Sequence, residues 1–179
     1  MVAESQRPEF HRMLLELCGS EEAAAHAETA YWLLRKMVPD ELIGFQALLV
    51  RTLIRMRCLD AFRFEGEWLV AVDGTWLRTY KERHCPHCLW QRQTDGSILY
   101  FHAVLEAKLM LRGGLCLSLA SVAIQNEGEY EKQDCEMSAF PRLAAKLKEL
   151  FPRLPMCILG DSLYACSPVM DVCERMRWS

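Results

Sequence analysis

Two aspartates and one knot of cysteines and histidines are the residues in this 179-residue chain whose types and spacing suggest chemistry. Asp73 closes the short apolar run WLVAVD, and Asp161 follows the run MCILG. Runs of this kind suit buried strands whose last residue emerges at the sheet edge. In open α/β sheets, ligands gather at the carboxyl ends of strands. If these two strands are parallel neighbours, the carboxylates lie side by side and repel each other unless a cation sits between them. Hard oxygen ligands favour Mg2+ or Mn2+, and two such ions about 3.5–4 Å apart can clamp the attacking and leaving oxygens of a phosphodiester. Taken singly, each aspartate also reads as a turn or cap residue, since Asp73 precedes Gly74-Thr75 and Asp161 precedes Ser162.

The second cluster is H-C-P-H-C, formed by His84, Cys85, His87 and Cys88, with His102 fourteen residues after Cys88. A CxxC turn and a later histidine offer three zinc ligands, Cys85, Cys88 and His102. Cys58, Cys116 or a neighbouring histidine would be the fourth. Reduced thiols in a hairpin are the alternative, because a strong zinc signature has two clear pairs. The other cysteines singled out (Cys18, Cys58, Cys116, Cys157, Cys166, Cys173) read as small residues on apolar faces. Around the knot lies the most basic stretch of the chain. Arg78, Lys81, Arg83 and Arg92 face a single acid, Glu82, which makes them candidate DNA contacts or simply a solvated loop.

The elements that must position these groups follow from pattern. Residues 1–62 read as a helical segment. Ser20 with Glu21 and Glu22 is a cap with acids in the first turn, and Pro39-Asp40 breaks the helix that follows. A further helix carries Leu42, Phe45, Leu48, Leu49, Leu53 and Met56 on one face. Residues 63–179 read as α/β. Strands are expected at Trp68–Asp73, Ser97–Leu105, Leu115–Ile124 and Met156–Gly160. An amphipathic helix through Phe140 to Phe151 comes before the last of these, and Pro141 fits its first turn. Ser167-Pro168 caps a closing helix. The acids of EKQDCE (Glu131, Asp134, Glu136) could approach the sheet edge, since the helix they precede packs on it, but they read as surface or capping groups and are not assigned to the metal.

Composition narrows the class. With 51% hydrophobic and 25% charged residues this is a globular sequence and not a disordered one. It has no apolar run long enough for a membrane span and no secretory signal pattern, so the reading is a cytoplasmic protein with reduced thiols. The net charge of −3 gives no whole-chain case for nucleic acid, so any DNA binding must be local.

Four segments, VAVDGTWLRTYKERHCPHCL, YFHAVLEAKLML, EKQDCEMSAFPRLAAKLKELFPRLP and ILGDSLYA, together resemble DDE-type transposases of bacterial insertion sequences. The resemblance runs from about Ala23 to the last residue. It implies an RNase H-like mixed sheet with flanking helices. The first catalytic aspartate would follow the first strand, as Asp73 does, and the second the fourth strand, as Asp161 does 88 residues later. It further implies Mg2+ or Mn2+, transposon-end and target DNA as partners, homo-oligomers, and two metal-dependent displacements at phosphorus. The third acid of that family is a glutamate on a helix well downstream. Neither Asp171 nor Glu174 has its context, so the catalytic set is incomplete in this chain. An inactive or regulatory transposase form is the expectation. A non-catalytic DNA-binding or oligomerising fragment and a different RNase H-like nuclease are the alternatives.

Overall fold

The structure is a computed structural model that describes residues 27–126 and 133–179. Ser20 to Glu22, Cys18 and Glu131 lie outside the described residues. The chain divides into two compact units, residues 1–42 and 43–179. The described part of the first holds helix α1 (Ala27–Leu34) and the opening of α2 (Pro39–Arg55). The first helix stops at Leu34, before the proline that was expected to break it, and Pro39 opens the next, where its missing N–H costs nothing in a first turn.

The second unit is built on a mixed sheet of five strands: β1 (Trp68–Tyr80), β2 (Leu89–Arg92), β3 (Ile98–Met110), β4 (Cys116–Ile124) and β5 (Met156–Leu159). β1 and β3 form a long antiparallel hairpin, from Val70 opposite Leu109 to Tyr80 opposite Tyr100. The other edge of β3 is shared by β4 and, beyond it, by β2. β5 lies on the free side of β1 and runs parallel to it, with Trp68 opposite Met156 and Ala71 opposite Leu159. A parallel neighbour needs a crossover, and α3 (Glu136–Leu150) provides it. A last helix, α4 (Ser167–Met176), follows β5. Beyond it, Ser179 returns to the outer edge of β5, donating to the Met156 carbonyl at 3.1 Å and accepting from Ile158 N at 2.7 Å.

Alternation sets the packing. Trp68, Val70 and Val72 of β1 and Leu105, Ala107 and Leu109 of β3 are buried on one face. Ala139, Phe140, Leu143, Ala144 and Leu147 of α3 join them in one core. Phe140 is fully buried, so truncating it to alanine would cost about 3–5 kcal/mol.

Several expectations shift. Four strands precede α3 instead of three, because β2 has four residues of which only Leu89 is buried, too few for a periodic signal. β1 and β3 are longer than read, since the hairpin continues past the layer that α3 covers. α3 begins at Glu136, so Pro141 falls after its first turn. Its start is held by Asp134, which accepts from Cys135 N and from Gln125 N and pairs with Arg142 eight residues on. At α4 the residue before the helix is Cys166, with no side-chain cap bond, and Pro168 occupies the first turn.

Candidate functional site

The parallel register of β1 and β5 governs where the two aspartates stand. Asp73 and Asp161 each lie two residues beyond the last paired position, Ala71 opposite Leu159. Neighbouring strands are about 4.8 Å apart, so the two backbones leave the paired region side by side. Asp73 does not end its strand, as the sequence reading had it: β1 continues to Tyr80, and Asp73 sits opposite Glu106 of β3. It is β5 that stops, leaving Asp73 exposed beyond the end of its parallel neighbour. Glu106 pairs with Lys108 at 3.1 Å, and that bond, reinforced by the Asp73 charge, raises the Lys108 ammonium above its ordinary value.

Asp161 also has a local role. Its Oδ1 accepts from Leu163 N at 2.8 Å, which caps the short turn Ser162–Tyr164. That is the turn-residue reading, realised on one oxygen. Among the described residues neither Asp73 nor Asp161 forms an ion pair.

Two glycines explain how Glu136 and Tyr164 pack against the chain next to the aspartates. Neither Gly74 nor Gly160 has left-handed backbone. Each is small because a side chain lies against it. A Cβ on Gly74 would overlap the Glu136 carboxylate, and one on Gly160 would sit 2.7 Å from Cγ of Tyr164. Above these glycines the Tyr164 hydroxyl donates to Glu136 Oε2 at 2.7 Å. Burial first, then that hydrogen bond and the charges of Glu136, Asp73 and Asp161, push the Tyr164 phenol far above its ordinary value. One buried hydroxyl thus lies in the field of all three carboxylates.

Tyr164 was not singled out from sequence, and Glu136 reads there as a surface or capping acid. The available signal was the glycine next to each aspartate, in D-G-T and L-G-D, together with the tyrosine of L-G-D-S-L-Y. Asp134, by contrast, is structural, as expected of a capping acid. Glu136 lines a cleft of about 300 Å3 with Trp76, Leu89, Phe101, Asp134 and Leu163 among its walls.

The proposed DNA contacts are exposed: Arg78 on β1, Lys81 and Arg83 in the turn that follows, and Arg92 at the end of β2. Trp76 and Trp90, about half exposed, flank them. The Cys/His knot lies in the same turn. His84, Cys85 and His102 form a group that could hold a metal ion. Cys88 is buried beside them. Of the other cysteines read as lying on apolar faces, Cys166 and Cys173 pack half-buried against the core and Cys157 is half-buried, whereas Cys58 and Cys116 are exposed. Among the described residues, no helix is long and apolar enough to cross a membrane. The chain matches no protein-family model, no curated protein and no solved structure.

Proposed function

We propose that this chain carries an RNase H-like catalytic fold of the DDE transposase kind, in which Asp73 and Asp161 hold a divalent metal against DNA. The observation that carries this reading is the shared register of the two aspartates on the parallel pair β1 and β5. Two carboxylates leaving adjacent strands, with no ion pair among the described residues, attract a hard cation, and Mg2+ or Mn2+ suits an all-oxygen site. Such a metal would neutralise charge developing on a phosphodiester. The protein's part would be to fix the carboxylates and the DNA backbone.

Arg78, Lys81, Arg83 and Arg92 would supply phosphate contacts, with Trp76 and Trp90 as stacking surfaces beside them. On this reading Asp73 and Asp161 are two of the acids of the site, and the described residues would bind DNA through the metal and the basic surface. Glu136 favours a second reading, since it adds a carboxylate from within the chain. With it the fold could serve an RNase H-like nuclease that needs no further acid.

The test is fluorescence anisotropy of the full chain with duplex DNA, with and without Mn2+. Four phosphate contacts give a slope of log K against log salt of about −3 to −4. Mn2+ should tighten binding in the wild type and leave Asp73→Asn and Asp161→Asn unaffected. Absence of DNA binding at low salt, or a Mn2+ effect in both variants as large as in the wild type, would overturn the proposal. Mn2+-dependent cleavage by the wild type, lost in Glu136→Gln, would select the second reading.

A further inference from the structure

The turn between β1 and β2 gathers donor atoms that the aspartate chemistry does not use. Cys85 Sγ lies 3.6 Å from Cys88 Sγ, and His102 Nε2 lies 3.5 Å from each sulfur. A ring nitrogen of His84, Cys85 Sγ and a ring nitrogen of His102 all fall within 4.8 Å of one another. Tetrahedral zinc, with bonds of about 2.3 Å to sulfur and about 2.0–2.1 Å to nitrogen, requires edges of about 3.8 Å between sulfurs and about 3.6 Å from sulfur to nitrogen. The triangle in this turn has nearly those edges. It is not a disulfide, whose sulfurs would be about 2.05 Å apart, and both cysteines are free thiols.

We infer that His84, Cys85, Cys88 and His102 bind one structural Zn2+ ion, which pins the β1–β2 turn to strand β3. The turn is built for it. Cys88 N donates to the Cys85 carbonyl, Arg83 Nη2 to the Pro86 carbonyl, and Asn126 Nδ2 to the Cys88 carbonyl. Tyr80 stacks on His84 at 4.7 Å and meets His102 edge-on at 5.8 Å, so one ring orients both imidazoles. Such outer partners fix ligand geometry before the metal arrives. His87 is not a ligand. Its Nδ1–H donates to the Asn126 carbonyl at 2.9 Å, which turns the ring toward the residues that follow β4.

His84, Cys85 and His102 hold their donor atoms within 4.8 Å of one another, and Cys88, outside that mutual group, meets Cys85 at 3.6 Å and His102 at 3.5 Å and is the fourth donor. Four protein ligands close the coordination sphere, which makes the site structural and not catalytic. Each cysteine gives up its thiol proton to solvent as the metal binds, so zinc affinity falls with falling pH. The clip would hold Lys81 and Arg83 beside the rest of the basic surface. It stands independently of the aspartate reading.

The test uses the full chain purified without chelator. Elemental analysis should find about one zinc per chain, and the cobalt-substituted protein should show the intense visible bands of a tetrahedral site with sulfur charge transfer. Cys88→Ser and His102→Ala should each weaken zinc at least about tenfold, while Cys58→Ser and Asp73→Asn leave it unchanged. His84→Ala should keep the sulfur bands and shift the visible ones. If the Cys88 variant fails to fold, thiol labelling of the wild type decides. Cys85 and Cys88 should be protected with zinc and reactive after EDTA. Zinc below about one-tenth per chain after loading, unchanged affinity in Cys88→Ser, or equal labelling with and without zinc would overturn the inference.

Discussion

Replacing Gly160 by alanine should disturb the aspartate end of the sheet through Tyr164. The new Cβ would lie 2.7–2.8 Å from Cγ, Cβ and Cδ2 of that ring, against the ordinary carbon contact of about 3.5–4.0 Å. Those atoms are the root of a rigid, buried side chain attached four residues away, so the ring cannot swing clear without leaving its site. Overpacking of this kind costs about 1–3 kcal/mol. Displacing the tyrosine also breaks its bond to the Glu136 carboxylate, and bonds to charged groups contribute about 1.5–3 kcal/mol. The loss of glycine's freedom in the unfolded chain offsets about 0.4–1 kcal/mol. The net is a destabilisation of about 2–4 kcal/mol, or about 5–15 °C in melting temperature for a chain of this size. Urea unfolding followed by far-UV circular dichroism measures it. In a Tyr164→Ala background the same substitution should cost less than about 0.5 kcal/mol, because its obstacle is gone. Gly160→Ala as stable as the wild type, or equally damaging in both backgrounds, would refute the reasoning. Gly74→Ala should be milder, since there the obstacle is the far end of a flexible glutamate.

Further outcomes follow from the same geometry. Tyr164 should be the phenol that resists ionisation. Burial and its bond to Glu136 raise its folded value, so the stability it contributes is complete below about pH 10 and is lost as pH rises through that higher value. Absorbance titration at 295 nm should therefore differ between wild type and Tyr164→Phe only at the alkaline end. Loss of signal near pH 10 would contradict this. Cys135 and Cys173 should alkylate in a fixed order. Burial pushes both thiols up, but at Cys135 hydrogen bonds from Ser138 and from Met137 N outweigh it and leave the thiol lowered. Iodoacetamide mapping by mass spectrometry should label Cys135 at lower pH than Cys173, and the reverse order would count against the described start of α3.

Much of the scaffold was legible because long periodic segments announce themselves. The apolar runs at Trp68 and Met156 are strands, the stripe through Phe140 and Leu147 is a helix, and the aspartates follow the parallel pair. What the pattern hid was the reason for the glycines. Gly74 looked like a turn signal, but the chain runs straight through it, and the residue is small because Glu136 lies against it. Such close approach links positions 62 apart in sequence and leaves no local trace. β2 escaped notice because one buried leucine makes no period. The metal donors were legible as a CxxC with a distant histidine. Choosing His84 over His87 required knowing which imidazole the Asn126 carbonyl holds.

The central claim is that Asp73 and Asp161 share one divalent cation, and Mn2+ binding to the zinc-loaded full chain, counted by electron paramagnetic resonance, tests it most directly. The wild type should hold one Mn2+ that Asp73→Asn and Asp161→Asn each weaken at least about tenfold, about 1.4 kcal/mol, while Cys88→Ser does not. Binding in both aspartate variants equal to that of the wild type would contradict a shared site.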